Sequence, residues 1–173
     1  MNSYRAIGFL FGITFGVIVS IFILRAFNKN RSIRTEYDEM QKQARGEAYM
    51  YGFYAMILFE FLTMLTEFFQ PIPAEPLVIH FTAIMIGVTV QAVYSIMHDA
   101  FIGLNTQKNR YLIIMAVIAV INFAVAFAAF KDGRMIENGV LMAPFCNLMV
   151  GIAFLIIGLA GWIRTTEGKE EKE

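Results

Sequence analysis

Residues 48–97 read AYMYGFYAMILFEFLTMLTEFFQPIPAEPLVIHFTAIMIGVTVQAVYSIM. Two long apolar runs flank Gln70-Pro71-Ile72-Pro73-Ala74-Glu75-Pro76. Proline lacks a backbone N–H and its ring clashes with the preceding helical turn, so Pro71, Pro73 and Pro76 forbid one continuous helix. Each flanking run has about the 20 apolar residues that cross a hydrocarbon core. The stretch therefore predicts a transmembrane hairpin, with spans over 48–69 and 77–97. Outward from it, further apolar runs occupy 7–25, 111–130 and 139–163. The first is too long for a signal-peptide core and has no small-x-small cleavage site after it, which predicts a retained helix. The last contains Pro144, expected to interrupt it, and closes on Trp162 and Arg164, which suit a membrane interface.

The expected architecture is thus all-α: a polytopic membrane protein, a bundle of five transmembrane helices in one domain over 1–164. A polar, disordered tail is expected over 165–173. Composition agrees. Hydrophobic residues make up 58% and charged residues 16%, with mean hydropathy +0.59, against about 45–50% and 25% in soluble domains. Lysine and arginine balance aspartate and glutamate at 14 each. That balance leaves no basic surplus for nucleic acid. Cys146 is the single cysteine, so no intrachain disulfide and no cysteine metal cluster is expected. The partners implied are the lipid bilayer and, through helix packing, a homo-oligomer.

Basic residues set the orientation. With five spans, Arg25, Lys29, Arg31, Arg34, Lys42, Arg45, Lys108, Arg110, Arg164, Lys169 and Lys172 share one side, while Arg5, Lys131 and Arg134 share the other. Eleven against three predicts an external N-terminus and a cytoplasmic C-terminus. Five spans do not divide into equal halves and no motif recurs, which argues against an inverted-repeat transporter.

Ionisable groups inside spans are functional candidates because burying them there is costly. Glu60 and Glu67 lie seven residues apart, with Thr63 beside them, on one face of the second span. In the third, His80, Gly87, Gln91, Tyr94 and His98 fall within about 40° of a common direction. Folding about the prolines is expected to face the two stripes, Glu67 level with His80 and Glu60 near Gly87 and Gln91. Three readings compete: a hydrogen-bonded clasp, a proton- or ion-coupled path, and an enzyme. The last has no supporting motif: neither HExxH nor Gly-x-Ser-x-Gly occurs. His80 and His98 stand about 27 Å apart on one helix, so no metal site and no cofactor is expected. Gly8, Gly12 and Gly16 form a small-residue stripe that permits close helix packing.

Before the second span, Thr-Glu-Tyr-Asp-Glu-Met-Gln-Lys-Gln-Ala-Arg-Gly-Glu (35–47) reads as a juxtamembrane helix. Thr35 with Asp38 fits a variant capping box, and the helix is expected to last to Gly46 or run into the span. Its face is either a solvated one laced with pairs such as Asp38–Lys42 or a docking surface for a cytoplasmic protein. Arg45 and Asp99 are expected to pair across the hairpin, with Asn105 or Gly103 capping the third helix.

Glu36-Tyr37-Asp38-Glu39-Met40-Gln41 with Ala44-Arg45-Gly46-Glu47-Ala48-Tyr49 resembles the YDERQ…ARGxAYxY signature of an uncharacterised family of small bacterial multi-pass membrane proteins. Asp99-Ala100-Phe101-Ile102-Gly103-Leu104-Asn105 resembles its DAYFGLN segment. Met40 stands in place of the arginine, and Phe101-Ile102 in place of Tyr-Phe. The resemblance covers residues 36–105 and implies a bacterial cytoplasmic membrane protein; it implies no activity, ligand or catalytic residue. The expected role is a non-enzymatic membrane component acting through interactions, or alternatively a small proton- or ion-coupled transporter or channel.

Overall fold

The computed structural model describes residues 35–170 together with 11, 14, 15, 17–19, 21–23, 25, 26 and 28, and, within 35–170, the side chains of all but 108, 109 and 167–170. In the first apolar run the described residues from 11 to 26 are helical. Gly8, Gly12 and Gly16 lie outside the described residues.

Four helices follow: α1 (Glu39–Phe69), α2 (Pro76–Met97), α3 (Lys108–Lys131) and α4 (Phe145–Glu170). All four are long and apolar enough to cross a membrane. Asp38, not Thr35, starts α1. Its carboxylate accepts from the Gln41 N–H at 2.7 Å, and the Gln41 side-chain oxygen accepts from the Asp38 N–H at 3.3 Å. The capping box thus falls three residues later than the sequence reading, because Gln41 rather than Asp38 fills its third helical position. Gly46 does not break the helix, so the juxtamembrane segment and the second span are one rod of 31 residues.

Pro76 opens α2 at the first helical position, where its missing N–H costs nothing. At the other end the Ala100 N–H bonds the Ser95 carbonyl at 2.7 Å and the Asp99 N–H bonds Ile96 at 3.1 Å. These are the two bonds of a Schellman motif. Asp99 occupies its left-handed position, φ 53°, which short polar side chains tolerate better than other non-glycine residues.

Between α3 and α4 stands a small hairpin, β1 (Ile136–Glu137) and β2 (Val140–Leu141), so the chain is not wholly α. Asn138 (φ 51°) and Gly139 (φ 79°) form its tip, the pair of positive angles that a two-residue hairpin turn demands. Consequently the last helix starts at Phe145, not at 139, and Pro144 precedes it instead of interrupting it. Its far end also differs: α4 continues through Glu170, where a disordered tail was expected from 165.

The described helices pack in a row, α1 on α2, α2 on α4, α4 on α3. At the α1–α2 crossing a Cβ on Gly52 would stand 2.6 Å from the Gly87 carbonyl oxygen, so only glycine allows this approach. Gly151 against Phe123 and Gly161 against Leu112 bring α4 close to α3 in the same way. Buried Ala92, Ile96, Met115 and Ile157, with Phe101, Tyr111 and Phe154 packed on them, form a core where α2 ends and α3 begins.

Candidate functional site

Two groups of polar side chains stand apart from this apolar packing. The first lies where α1 starts, α2 ends and α4 ends. The Gln41 side-chain amide donates to the Asp99 carbonyl at 2.7 Å and more weakly to Ile102 at 3.4 Å. Arg45 donates to the Ala100 carbonyl at 3.2 Å and to the Tyr49 hydroxyl at 3.1 Å. Its guanidinium also lies 4.2 Å from the Tyr37 ring centre, within the range of a cation–π contact. The Asn105 side-chain oxygen accepts from the Glu36 N–H at 3.1 Å, and the Leu104 N–H donates to the Glu36 carbonyl at 2.9 Å. Gly103 lets the two strands of chain meet, since a Cβ there would lie 2.8 Å from the Glu36 carbonyl oxygen.

Residues 35–45 and 99–105 are therefore joined, but not by the expected pair. Asp99 binds Arg164 of α4, Nη2 to Oδ2 at 2.5 Å, and Arg45 takes the neighbouring carbonyl instead. At the left-handed end of α2 the Asp99 carbonyl meets Gln41 of α1 while its carboxylate meets α4. Nor does Asn105 cap α2; it serves the approach to α1, and the helix end is closed by its own backbone. Asp38 makes its side-chain bond within the start of α1. Gln41 and Arg164 were not singled out by sequence reasoning. Gln41 carried a signal, as the third residue after an Asp cap; Arg164 carried none beyond closing an apolar run.

Just above, the Tyr94 hydroxyl donates to the Glu47 carboxylate at 2.6 Å. His98 stacks on the Tyr94 ring with centres 4.0 Å apart, and the Gln43 amide holds the other Glu47 oxygen at 3.1 Å. Beneath them Asp99, Arg164 and Thr165 rim a small cleft floored by Ile96, Tyr111, Met115 and Ile157.

The second group lies toward the other end of the α1–α2 seam. The polar stripes do share this seam, in a different register. His80 Nδ1 lies 3.0 Å from Glu60 Oε1, so His80 meets Glu60 rather than Glu67. Gln91 is about three turns further along α2, donating to Ser95 at 3.3 Å and packing beside Gly52. The hairpin is asymmetric because its connection is anchored elsewhere. The Glu75 N–H donates to the Leu141 carbonyl and the Leu141 N–H to the Pro73 carbonyl, both at 2.8 Å. The Glu75 carboxylate also accepts from the Ala143 N–H at 2.7 Å. Extended residues at this connection, held by the β-hairpin, thus start α2 well short of the end of α1.

Glu60, Thr63, Glu67 and His80 line a groove with Ile57, Phe61, Met64, Pro76 and Ile79, about 520 Å³ in volume. It is open: the side chains of His80 and Glu60 are 66% and 38% exposed. The carboxylate and imidazole can exchange a proton across one hydrogen bond, with a second carboxylate on the same wall. Among the described residues no group of three or more His, Cys, Asp or Glu could hold a metal ion.

No family model matches the chain, and neither a curated protein nor a solved structure is detectably similar to it.

Proposed function

We propose that this chain is a non-enzymatic, multi-pass integral membrane protein that works as an interaction component. It belongs, on this reading, to the bacterial family that residues 36–105 resemble. Five spans run from an external N-terminus to a cytoplasmic C-terminus in the cytoplasmic membrane. The cytoplasmic face presents 35–47 and 99–105 as one surface to a protein partner. One observation carries this reading: Gln41 and Arg45 hold the carbonyls of Asp99 and Ala100, so the surface is built before a partner arrives. Preorganised surfaces lose less entropy on binding. Met40, 83% exposed at its centre, offers an apolar contact.

Two experiments test it. With Cys146 replaced by alanine, Gln43→Cys and Glu137→Cys are exposed to a membrane-impermeant maleimide in intact cells. Labelling at Glu137→Cys alone is expected; labelling at Gln43→Cys reverses the orientation. A photo-reactive side chain at Met40 should then capture a cytoplasmic protein, and Gln41→Ala should abolish the adduct. Capture that survives Gln41→Ala, or none at all, defeats the interaction reading. The 3.0 Å Glu60–His80 contact in an open groove favours a second reading, a proton- or ion-coupled path through Glu60, Glu67 and His80. Proteoliposomes carrying a pH-sensitive dye decide it: flux abolished by Glu60→Gln supports the path, and no flux above empty liposomes ends it.

A further inference from the structure

Among the four helices described in full, α1 stands at one edge of the row. Only 6% of its apolar window is buried, against 28% in α2 and α4 and 22% in α3. The uncovered side is not uniformly apolar, because the Glu60–His80 groove opens onto it. Facing a carboxylate and an imidazole to hydrocarbon costs several kcal/mol, so such groups in spans face protein or water. The groove therefore opens either on water or on another protein surface.

We propose that the occupant is a second copy of this chain, forming a parallel dimer about a two-fold axis along the helices. Such an axis brings together groups at equal depth, since both copies have one topology and each contacts the same patch on the other. Glu60 and His80 are level, as their 3.0 Å contact requires. The axis thus sets each carboxylate opposite the other copy's imidazole. The intramolecular contact uses Oε1 and Nδ1, so each carboxylate keeps a second oxygen and each imidazole a second ring nitrogen for a contact across the axis. A ring of two carboxylates and two imidazoles closes the groove with like charges kept apart. Phe61, half exposed on the groove wall at the same level, supplies the apolar contact beside it. A lone apolar face would suit many partners; a level carboxylate–imidazole pair is complementary to itself.

This inference rests on α1 and α2 spanning the bilayer, which the maleimide labelling tests separately. The full chain, with Cys146 replaced by alanine and Phe61→Cys introduced, is oxidised in native membranes. A disulfide-linked dimer is expected in the majority of molecules. Val120→Cys on α3, 66% exposed on its own face, is expected to give little. Absence of the Phe61 dimer, or equal dimer from both sites, overturns the proposal. In a Phe15→Cys/Phe61→Cys chain, closure within one molecule in preference to dimer assigns the groove to the first apolar run and equally overturns it. Single-molecule photobleaching of labelled chain in dilute liposomes gives the second measurement. Two-step traces should dominate, and Glu60→Gln with His80→Leu should weaken association about tenfold, the loss of the ring's two symmetric interhelical hydrogen bonds. Dimerisation unaffected by that pair of changes rejects the ring, and one-step bleaching of the unmodified chain rejects the dimer.

Discussion

On one side of the Gly52–Gly87 crossing, α1 and α2 are fastened; on the other they part. The fastened half carries Tyr94 on Glu47, Arg45 on Ala100 and Gln41 on Asp99. Among the described residues, the parted half has the Glu60–His80 hydrogen bond in a groove of about 520 Å³. Both halves are polar, but they use polarity differently. In the fastened half Gln41 and Arg45 grip backbone carbonyls at the turn after α2 and Tyr94 closes on Glu47, which fixes shape. In the parted half two titratable side chains meet each other and stay exposed, which leaves capacity for a partner or a proton. A polar stripe on a membrane helix is thus not one kind of feature, and position relative to the crossing decides its role.

The largest effect is expected where the two halves meet. Gly52→Val places branched carbon where even a Cβ would lie 2.6 Å from the Gly87 carbonyl oxygen. Overpacking of this kind costs about 1–3 kcal/mol. It should lower the melting temperature in detergent and weaken the fastened half as well, so cross-linking between cysteines at Gln43 and His98 should fall. A valine tolerated without loss would mean that the crossing is not the fulcrum.

Next comes the fastened half itself. Gln41 has two tasks, the capping box and the Asp99 carbonyl, and two substitutions separate them. Gln41→Glu keeps an acceptor for the Asp38 N–H but removes the amide donor. Gln41→Ala loses both and should cost about 1–2 kcal/mol, with Gln41→Glu near half of that. Equal losses would place the whole effect in the cap and none in the junction of 35–45 with 99–105.

How far the sequence carries one toward this comparison depends on distance along the chain. The apolar runs and prolines are local signals, and they locate four helices to within a few residues at most ends. The Asn138-Gly139 turn is an equally local signal, but residues 139–144 are apolar enough to be absorbed into a span. The register of the α1–α2 seam was not legible, since the connection between those helices is anchored by Leu141, far along the chain. The partner of Asp99 likewise lies 65 residues away. Sequence placed Glu60, Glu67, His80 and Gln91 on facing stripes, and tertiary anchoring then chose Glu60 for His80. It joined 35–47 to 99–105 correctly as neighbours and named the wrong atoms for the joint.

The Asp99–Arg164 contact sharpens that last point at a smaller scale. Both side chains are partly exposed, 52% and 34%, so solvent screens the pair and the coupling is expected to be about 0.5–1 kcal/mol. A double-mutant cycle with Asp99→Asn and Arg164→Met, read by thermal melting, measures it. The corresponding cycle of Arg45→Ala with Asp99→Asn should show a smaller coupling, since Arg45 binds the Ala100 carbonyl. The reverse order would restore the Arg45–Asp99 pair that the spacing suggests.

The smallest effect is expected in the parted half. Glu60→Gln preserves size and keeps a group able to donate to or accept from the imidazole. With both partners more than a third exposed, the change should alter the melting temperature of detergent-solubilised chain by less than about 0.5 kcal/mol equivalent. The comparison requires that disproportion: a contact kept for something other than holding the fold should be nearly silent in a stability measurement and visible in an association or flux measurement. A Glu60→Gln loss as large as that of Gln41→Ala would mean that the groove is as much a fastening as the other half of the seam.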